Sequence, residues 1–218
     1  NYGIFSFRTG NIYTARMLRQ WLGYAFEGEE PPAECWQTEG RYYDPLRPGI
    51  EPEGFADMAE LEASRRAALA AIRRAVTEAD VFVFTMGLTE CWRDRESGLE
   101  YAMCPGTLAG RFDADQHEFV NQSFSGMRRD MRAALKILRQ ANPKLKVLLT
   151  VSPVPLTATA SGQHVLTATS HSKSVLRAVA GELAAELAQV DYFPSYEIST
   201  HPADRGMFYA PNQRSVVR

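Results

Sequence analysis

The sequence is poor in the residues that disulfide frameworks and metal centres require. Among its 218 residues are four histidines and three cysteines, Cys35, Cys91 and Cys104. The cysteines are odd in number and no two have CxxC spacing, which argues against a disulfide framework or a zinc ribbon and favours a reducing, cytoplasmic compartment. With so few histidines, and with no HExxH, no P-loop and no GxGxxG after a strand, we expect neither a metal nor an organic cofactor.

The chain also lacks the charge excess and the long apolar runs that mark other protein classes. A net charge of -2 and a pI near 6.1 give no electrostatic reason to expect nucleic acid or an anionic membrane as a partner. No apolar run is long enough to cross a bilayer, and we expect no signal peptide. At 45% hydrophobic and 23% charged residues, the composition is that of a globular protein that can bury a core.

Hydrophobic periodicity predicts one α/β domain over residues 1–218. Strands buried on both faces alternate with amphipathic helices, which is typical of a parallel sheet in an α/β sandwich. A segment rich in Pro, Gly and aromatics around 27–57 predicts an ordered excursion, and 91–124 reads as irregular. The first predicted helix begins at Thr9 or Asn11, and the other three cover 57–77, 126–141 and 172–189. The predicted strands are 80–86, 146–152 and 190–193.

Each predicted strand ends in polar residues. Gly87-Leu88-Thr89-Glu90 follows the first, Ser152 the second, and Ser195-Tyr196-Glu197 the third. Because ligands bind beyond the carboxyl ends of parallel strands, we expect Thr89, Ser152 and Ser195 to lie along one edge of the sheet, in a single cleft. Three strands are few for such a sheet and none precedes the first helix. Since the sequence also begins at Asn1 without an initiator Met, we expect that one N-terminal strand of the sheet is missing from it.

The residues alone leave two interpretations of these strand ends open. Gly87 and Thr89 offer a backbone N–H and a hydroxyl to a developing oxyanion, but a strand-to-loop turn needs the same residues. His164 lies in a Thr- and Ser-rich loop after the second strand, where it is either a general base or a surface histidine. The run from Ser170 to Lys173 matches SxxK, a pattern that is common by chance.

Longer stretches carry a family resemblance. "VFTMGLTECW", "LLTVSPVPLTAT", "SHSKSVLRAVAGEL" and "DYFPSYEI", in this order, resemble the GSCFA family, a branch of the SGNH/GDSL hydrolases. The opening "NYGIFSFRTGNIYTARMLRQWL" is similar to the segment that follows the family's Gly-Ser-Cys-Phe-Ala signature. The resemblance implies a flavodoxin-like α/β/α sandwich and Ser-His ester chemistry on an acylated carbohydrate or small metabolite.

The sequence departs from the family pattern at three places. The signature that would carry the nucleophilic serine is absent, and Thr89 stands where SGNH enzymes have the Asn of Gly-x-Asn. The usual C-terminal Asp-x-x-His motif is not found, because Asn212 and Ser215 stand in place of its acid and base. We therefore choose His164 as the base and rank His201 second. His171, which we place at the start of the fourth helix, is the remaining candidate.

Two functional hypotheses follow from the resemblance. In the first, the chain belongs to a serine ester hydrolase or O-acyltransferase in which His164 takes the proton of the nucleophile. Its oxyanion pocket would be formed by Gly10, Gly87 and Thr89, and its substrate-binding residues would be Glu90, Trp92, Ser152 and Tyr196. In the second, the chain is a non-catalytic module that binds a carbohydrate or acylated ligand through Trp36, Tyr42, Trp92 and Tyr196.

Overall fold

The structure is a computed structural model that describes residues 7–212 together with 214 and 215. Its helices are α1 (Ala15–Phe26), α2 (Met58–Glu78), α3 (Phe124–Ala141), α4 (Val165–Glu186) and α5 (Ser195–Thr200). Its strands are β1 (Trp36–Thr38), β2 (Arg41–Tyr43), β3 (Val81–Met86), β4 (Glu90–Asp94), β5 (Glu100–Tyr101), β6 (His117–Asn121), β7 (Lys146–Val151) and β8 (Val190–Phe193). A short 3-10 helix, Pro202–Asp204, follows α5.

The three predicted strands form a parallel sheet in the order β3-β7-β8. Val81 pairs with Lys146, and Val147 pairs with Val190, so the spatial order of the three strands is the same as their order in the chain. Helices α3 and α4 make the two crossovers and pack against each other. Crossovers of one hand in one direction place their helices on the same face of a sheet. The prediction of an α/β fold with a parallel sheet is confirmed.

The two faces of this sheet differ in burial. On one face Phe84, Leu149 and their neighbours join the core with residues of α1, α3 and α4. On the other, Val81 and Val83 are 54% and 59% exposed and Phe193 is 49% exposed. The expectation that β3 is buried on both faces was therefore wrong. Among the described residues, helices cover one face of this strand and leave the other exposed. The three-layer sandwich stays a prediction.

Helix α1 starts later than its sequence pattern suggested. The N-cap is Thr14, whose hydroxyl accepts from the Met17 N–H at 3.1 Å, rather than Thr9 or Asn11. The residues before it are held out of the helix because the carbonyl of Tyr13 accepts from the Gly87 N–H at 2.9 Å. The sequence pattern predicted one apolar face of Ile12, Ala15, Leu18, Leu22 and Ala25; the last four are buried in α1, whereas Ile12 precedes the helix and is partly buried.

The segment 91–124, expected to be irregular, holds most of a second sheet. Strands β5, β4 and β6 form this antiparallel sheet, in which Trp92 lies opposite Phe119. The ring of Trp92 also meets that of Phe112, 5.2 Å away between centroids. The strands were missed because β5 has only two residues and because glycines and polar residues interrupt the alternation that marks a strand.

The excursion around 27–57 is tied to α2 by a buried ionic cluster. The excursion contains the β1–β2 hairpin, and the carboxylate of Asp44, which follows the hairpin, is fully buried. Asp44 accepts from Arg47 Nε at 2.9 Å and from Arg65 Nη2 at 2.8 Å, and Arg65 lies in α2. Burial acts to raise the pKa of Asp44, but the hydrogen bonds and charges of Arg65 and then Arg47 hold it below its ordinary value.

Helix α4 begins seven residues earlier than predicted, at Val165 instead of 172. Leu166 in its first turn is 68% exposed, although Ala168 is buried, so the apolar stripe that marks a helix is weak there. His171 therefore lies within the helix, and His164 is the residue at its N-terminus. By contrast, α2 and α3 begin and end within two residues of their predicted bounds.

Candidate functional site

The carboxyl ends of the parallel strands bring the predicted polar residues to one edge of the sheet. The Ser152 N–H donates to the carbonyl of Met86 at 2.9 Å, which joins the ends of β7 and β3. The Ser195 hydroxyl donates to the carbonyl of Val151 at 2.8 Å and also hydrogen-bonds the Thr150 hydroxyl. Thr89 follows the end of β3 but is fully buried. The three residues thus share an edge, although none of them lines either cleft described below.

The backbone donors at the end of β3 are already engaged. The Gly87 N–H donates to Tyr13, and a Cβ at position 87 would lie 2.9 Å from Cδ1 of that tyrosine, so this close approach requires glycine. The Thr89 N–H donates to Ser172 Oγ at 3.0 Å and its hydroxyl to Asn121 Oδ1 at 2.7 Å. Gly10 is exposed and has left-handed backbone geometry, with φ +73. An oxyanion role for these residues stays a prediction.

A cleft of about 250 Å³ lies between the start of α1 and the second sheet. We call it the Glu100 cleft. It brings together two of the predicted substrate-binding residues, Glu90 and Trp92, with Thr14 and Glu100. Cys91 also lines it, but burial raises the pKa of the Cys91 thiol above its ordinary value, so this thiol is not a ready nucleophile.

Glu100 is the most perturbed carboxyl group in this cleft. It is 1% exposed, accepts from the Thr14 hydroxyl, and accepts from Gln122 Nε2 at 2.9 Å. Burial raises its pKa from 4.5 to about 7 against the lowering effect of the Thr14 hydrogen bond. Gln122 Oε1 has no hydrogen-bond partner among the described residues. A half-turn of the Gln122 amide would let protonated Glu100 donate to that oxygen, which favours the neutral carboxyl.

A second cleft, of about 580 Å³, opens beyond the carboxyl ends of β7 and β8. We call it the Lys173 cleft. Its lining includes Pro153 after β7, Lys173 from α4, Tyr196 from α5 and Tyr209 from the chain beyond. Tyr209 closes one side by donating its hydroxyl to the carbonyl of Pro153 at 2.9 Å. Of the predicted substrate-binding residues, Tyr196 lies here and not beside Glu90 and Trp92.

Lys173 is 2% exposed, which is unusual for a lysine. Its ammonium group donates to the carbonyl of Gly87 at 2.7 Å. Burial lowers its pKa to about 8. The side chain therefore places an amine with a near-neutral pKa at the end of β3, on the wall of the larger cleft.

The candidate bases occupy exposed positions. His164 caps α4 by accepting from the Leu166 N–H at 3.2 Å through Nδ1, and His201 accepts from the Ala203 N–H in the same way. With Nδ1 as acceptor, a neutral imidazole carries its proton on Nε2. The loop before His164 is anchored near the Glu100 cleft, because the Thr159 hydroxyl donates to Glu90 Oε1 at 2.6 Å. His171 is exposed on α4.

Sequence reasoning missed both Glu100 and Lys173. Nothing in the sequence marks Glu100, because its burial depends on contacts with Thr14 and Gln122, far away along the chain. Lys173 did leave a signal. It lies three residues before Leu176 on the apolar stripe of its helix, where a charged residue is out of pattern.

Fold and site together define an α/β protein with clefts beside the carboxyl edge of a parallel sheet. The GSCFA family model matches residues 2–218, and the chain belongs to the GSCFA family. No curated protein matches the chain significantly. In the ranges that the structure describes, no helix is both long enough and apolar enough to cross a membrane, and no three His, Cys, Asp or Glu residues are grouped to hold a metal ion.

Proposed function

We propose that this GSCFA protein has SGNH-type serine ester chemistry, as a hydrolase or O-acyltransferase acting on an acylated carbohydrate or small metabolite. The observation that supports this proposal best is the convergence of Gly87, Ser152 and Ser195 on the carboxyl edge of the parallel sheet, in a chain that matches the family over residues 2–218. Ligands of open α/β sheets bind at this edge. The predicted α/β/α sandwich and cytoplasmic location are part of the same proposal.

The nucleophile in this proposal lies outside the 218 residues. The buried Ser172 hydroxyl accepts from Thr89, and the Ser195 hydroxyl is engaged with Thr150 and Val151. Neither has a histidine among its described hydrogen-bond partners, and an activated serine needs such a base. The serine of the Gly-Ser-Cys-Phe-Ala signature, which does not occur in this sequence, is the proposed nucleophile.

His164 is the proposed base. The contact between Thr159 and Glu90 holds its loop beside the second sheet, and Gly162 supplies a left-handed turn at φ +74 just before it. To accept a proton through Nε2, His164 must give up the Nδ1 hydrogen bond that caps α4 or rearrange it. Gly87 likewise becomes an oxyanion donor only when Tyr13 moves away from it. Both movements belong to the proposed catalytic state.

Hydrolysis of p-nitrophenyl acetate tests the proposal. We expect turnover by a polypeptide that carries the Gly-Ser-Cys-Phe-Ala segment before Asn1, and none by the 218-residue chain. Replacing the signature serine with alanine is the matched control and should abolish turnover. Turnover that survives this replacement would overturn the assignment of the nucleophile. If the longer polypeptide is folded but inactive towards ester substrates, the binding-module hypothesis replaces the enzyme.

A further inference from the structure

The Lys173 cleft has a feature that ester chemistry does not require. Lys173 is a buried cation, and among the described residues no carboxylate forms a salt bridge with it. Burial lowers its pKa, and among the described residues no acidic group offsets the loss of water around the ammonium. Buried charges in proteins are normally paired, because removing an isolated charge from water is unfavourable. The described part of the chain supplies no charge of opposite sign for Lys173.

The lining of the cleft has the same bias in charge. Arg205 contributes a second cation, and none of the described lining residues is Asp or Glu. The walls are otherwise formed by hydroxyl-bearing and apolar side chains, including Tyr196, Thr200 and Pro155. A cleft whose described lining has two cations, several hydroxyls and no carboxylate is complementary to an anion.

We propose that the Lys173 cleft is a binding site for an oxyanion, a carboxylate or phosphate group of a ligand, whose charge pairs with the Lys173 ammonium. An ammonium group has three N–H donors, and the carbonyl of Gly87 takes one of them. The other two remain for the anion. The 580 Å³ volume accommodates the body of a small molecule against the tyrosines while its anionic group meets Lys173.

The proposal does not depend on the proposed ester chemistry, although Tyr196, one of the predicted substrate-binding residues, lines this cleft. It uses no serine nucleophile and neither of the ranked histidine bases, and it holds whether or not the protein hydrolyses esters. A structural role for Lys173 is the competing explanation, because its bond to Gly87 also ties α4 to the end of β3. The two explanations differ in what an added anion does to the folded protein.

Lysine side-chain NMR on the unmodified 218-residue chain distinguishes them. The chain has four lysines, and Lys136, Lys144 and Lys146 are exposed, so three internal controls accompany Lys173. Titration with inorganic phosphate or with acetate should shift the Lys173 signal saturably, while NaCl at matched ionic strength should not. A shift with phosphate alone identifies a phosphate ligand, and one with acetate alone a carboxylate. No saturable shift with either anion overturns the proposal.

Anion-dependent thermal stabilisation of variants gives a second readout. Lys173→Met keeps the aliphatic stem and removes the charge, and should weaken the apparent anion affinity at least about tenfold, as expected for a lost charge-assisted hydrogen bond. Lys173→Arg should retain part of the affinity, and Lys146→Met should retain all of it. A Lys173→Met variant that is less stable but responds to the anion like wild type would leave Lys173 with a structural role only. If this variant does not fold, the NMR titration of the wild-type chain decides alone.

Discussion

The raised pKa of Glu100 makes the stability of this protein depend on pH in the direction opposite to that of a cation-paired carboxylate such as Asp44, whose pKa is lowered in the folded state. Glu100→Gln is the informative change, because an amide keeps the shape and the acceptor for Thr14 but does not titrate. The folded state holds the Glu100 proton more tightly than the unfolded state, whose carboxyl has the ordinary pKa of 4.5. The stabilisation from this proton is therefore complete below about pH 4.5 and is lost as the pH rises through about 7.

The magnitude follows from the two pKa values. A difference of one in pKa corresponds to about 1.36 kcal/mol, so the rise from 4.5 to about 7 is worth roughly 3 kcal/mol over the full range. Between pH 5 and pH 8, linkage gives a loss of about 2.5 kcal/mol in the unfolding free energy of wild type relative to Glu100→Gln. Taking the difference between the two proteins removes the effects of every other titrating group that they share.

Urea denaturation of both proteins at four pH values between 5 and 8 measures this difference. Glu51→Gln, at an exposed glutamate, is the matched control and should follow wild type throughout. A wild-type to Glu100→Gln difference that stays constant within about 0.5 kcal/mol, the usual size of a surface effect, would refute the reasoning. It would mean that Glu100 is ionised at neutral pH and that water reaches it.

Three further predictions concern other parts of the molecule. Asp44→Asn leaves Arg47 and Arg65 buried without their anion and should lower the unfolding free energy in urea by about 3–5 kcal/mol; a loss below 1 kcal/mol would contradict the burial of this cluster. In the longer, active polypeptide, His164→Asn should keep the helix cap and lower ester turnover by roughly 10²–10⁴ if His164 is the base, and normal turnover would exclude that role. Val83→Lys should change the unfolding free energy of the 218-residue chain in urea by less than about 0.5 kcal/mol, and unfolding of this variant would show that this sheet face is covered.

The elements that the sequence predicted well are those whose pattern is set by the core. Helix α3 shows this, because Met127, Met131 and Leu138 recur on one face and all three are buried in the structure. Strand β8 was predicted with its observed bounds for a similar reason, as a short apolar run between turn residues. The direction of all three parallel strands also followed from the helices between them.

The errors arise where local pattern and tertiary contact disagree. The start of α4 carries exposed polar residues, and the start of α1 is delayed by the bond between Tyr13 and Gly87. At the site, the sequence predicted which residues follow the strand ends, but not that Thr89 would be buried under Ser172 and Asn121. The burial of Glu100 depends on long-range pairing, and one sequence without such contacts gives no means of predicting it.

Fluorophosphonate labelling, followed by mass mapping of the adduct, is the decisive test of the signature serine as nucleophile, because the reagent bonds covalently to an activated serine. We expect one adduct per polypeptide, on the signature serine, when the Gly-Ser-Cys-Phe-Ala segment precedes Asn1. We expect no adduct on the 218-residue chain, in which Ser172 and Ser195 are tied by hydrogen bonds at the sheet edge. An adduct on any serine within residues 1–218 would contradict this assignment of the nucleophile.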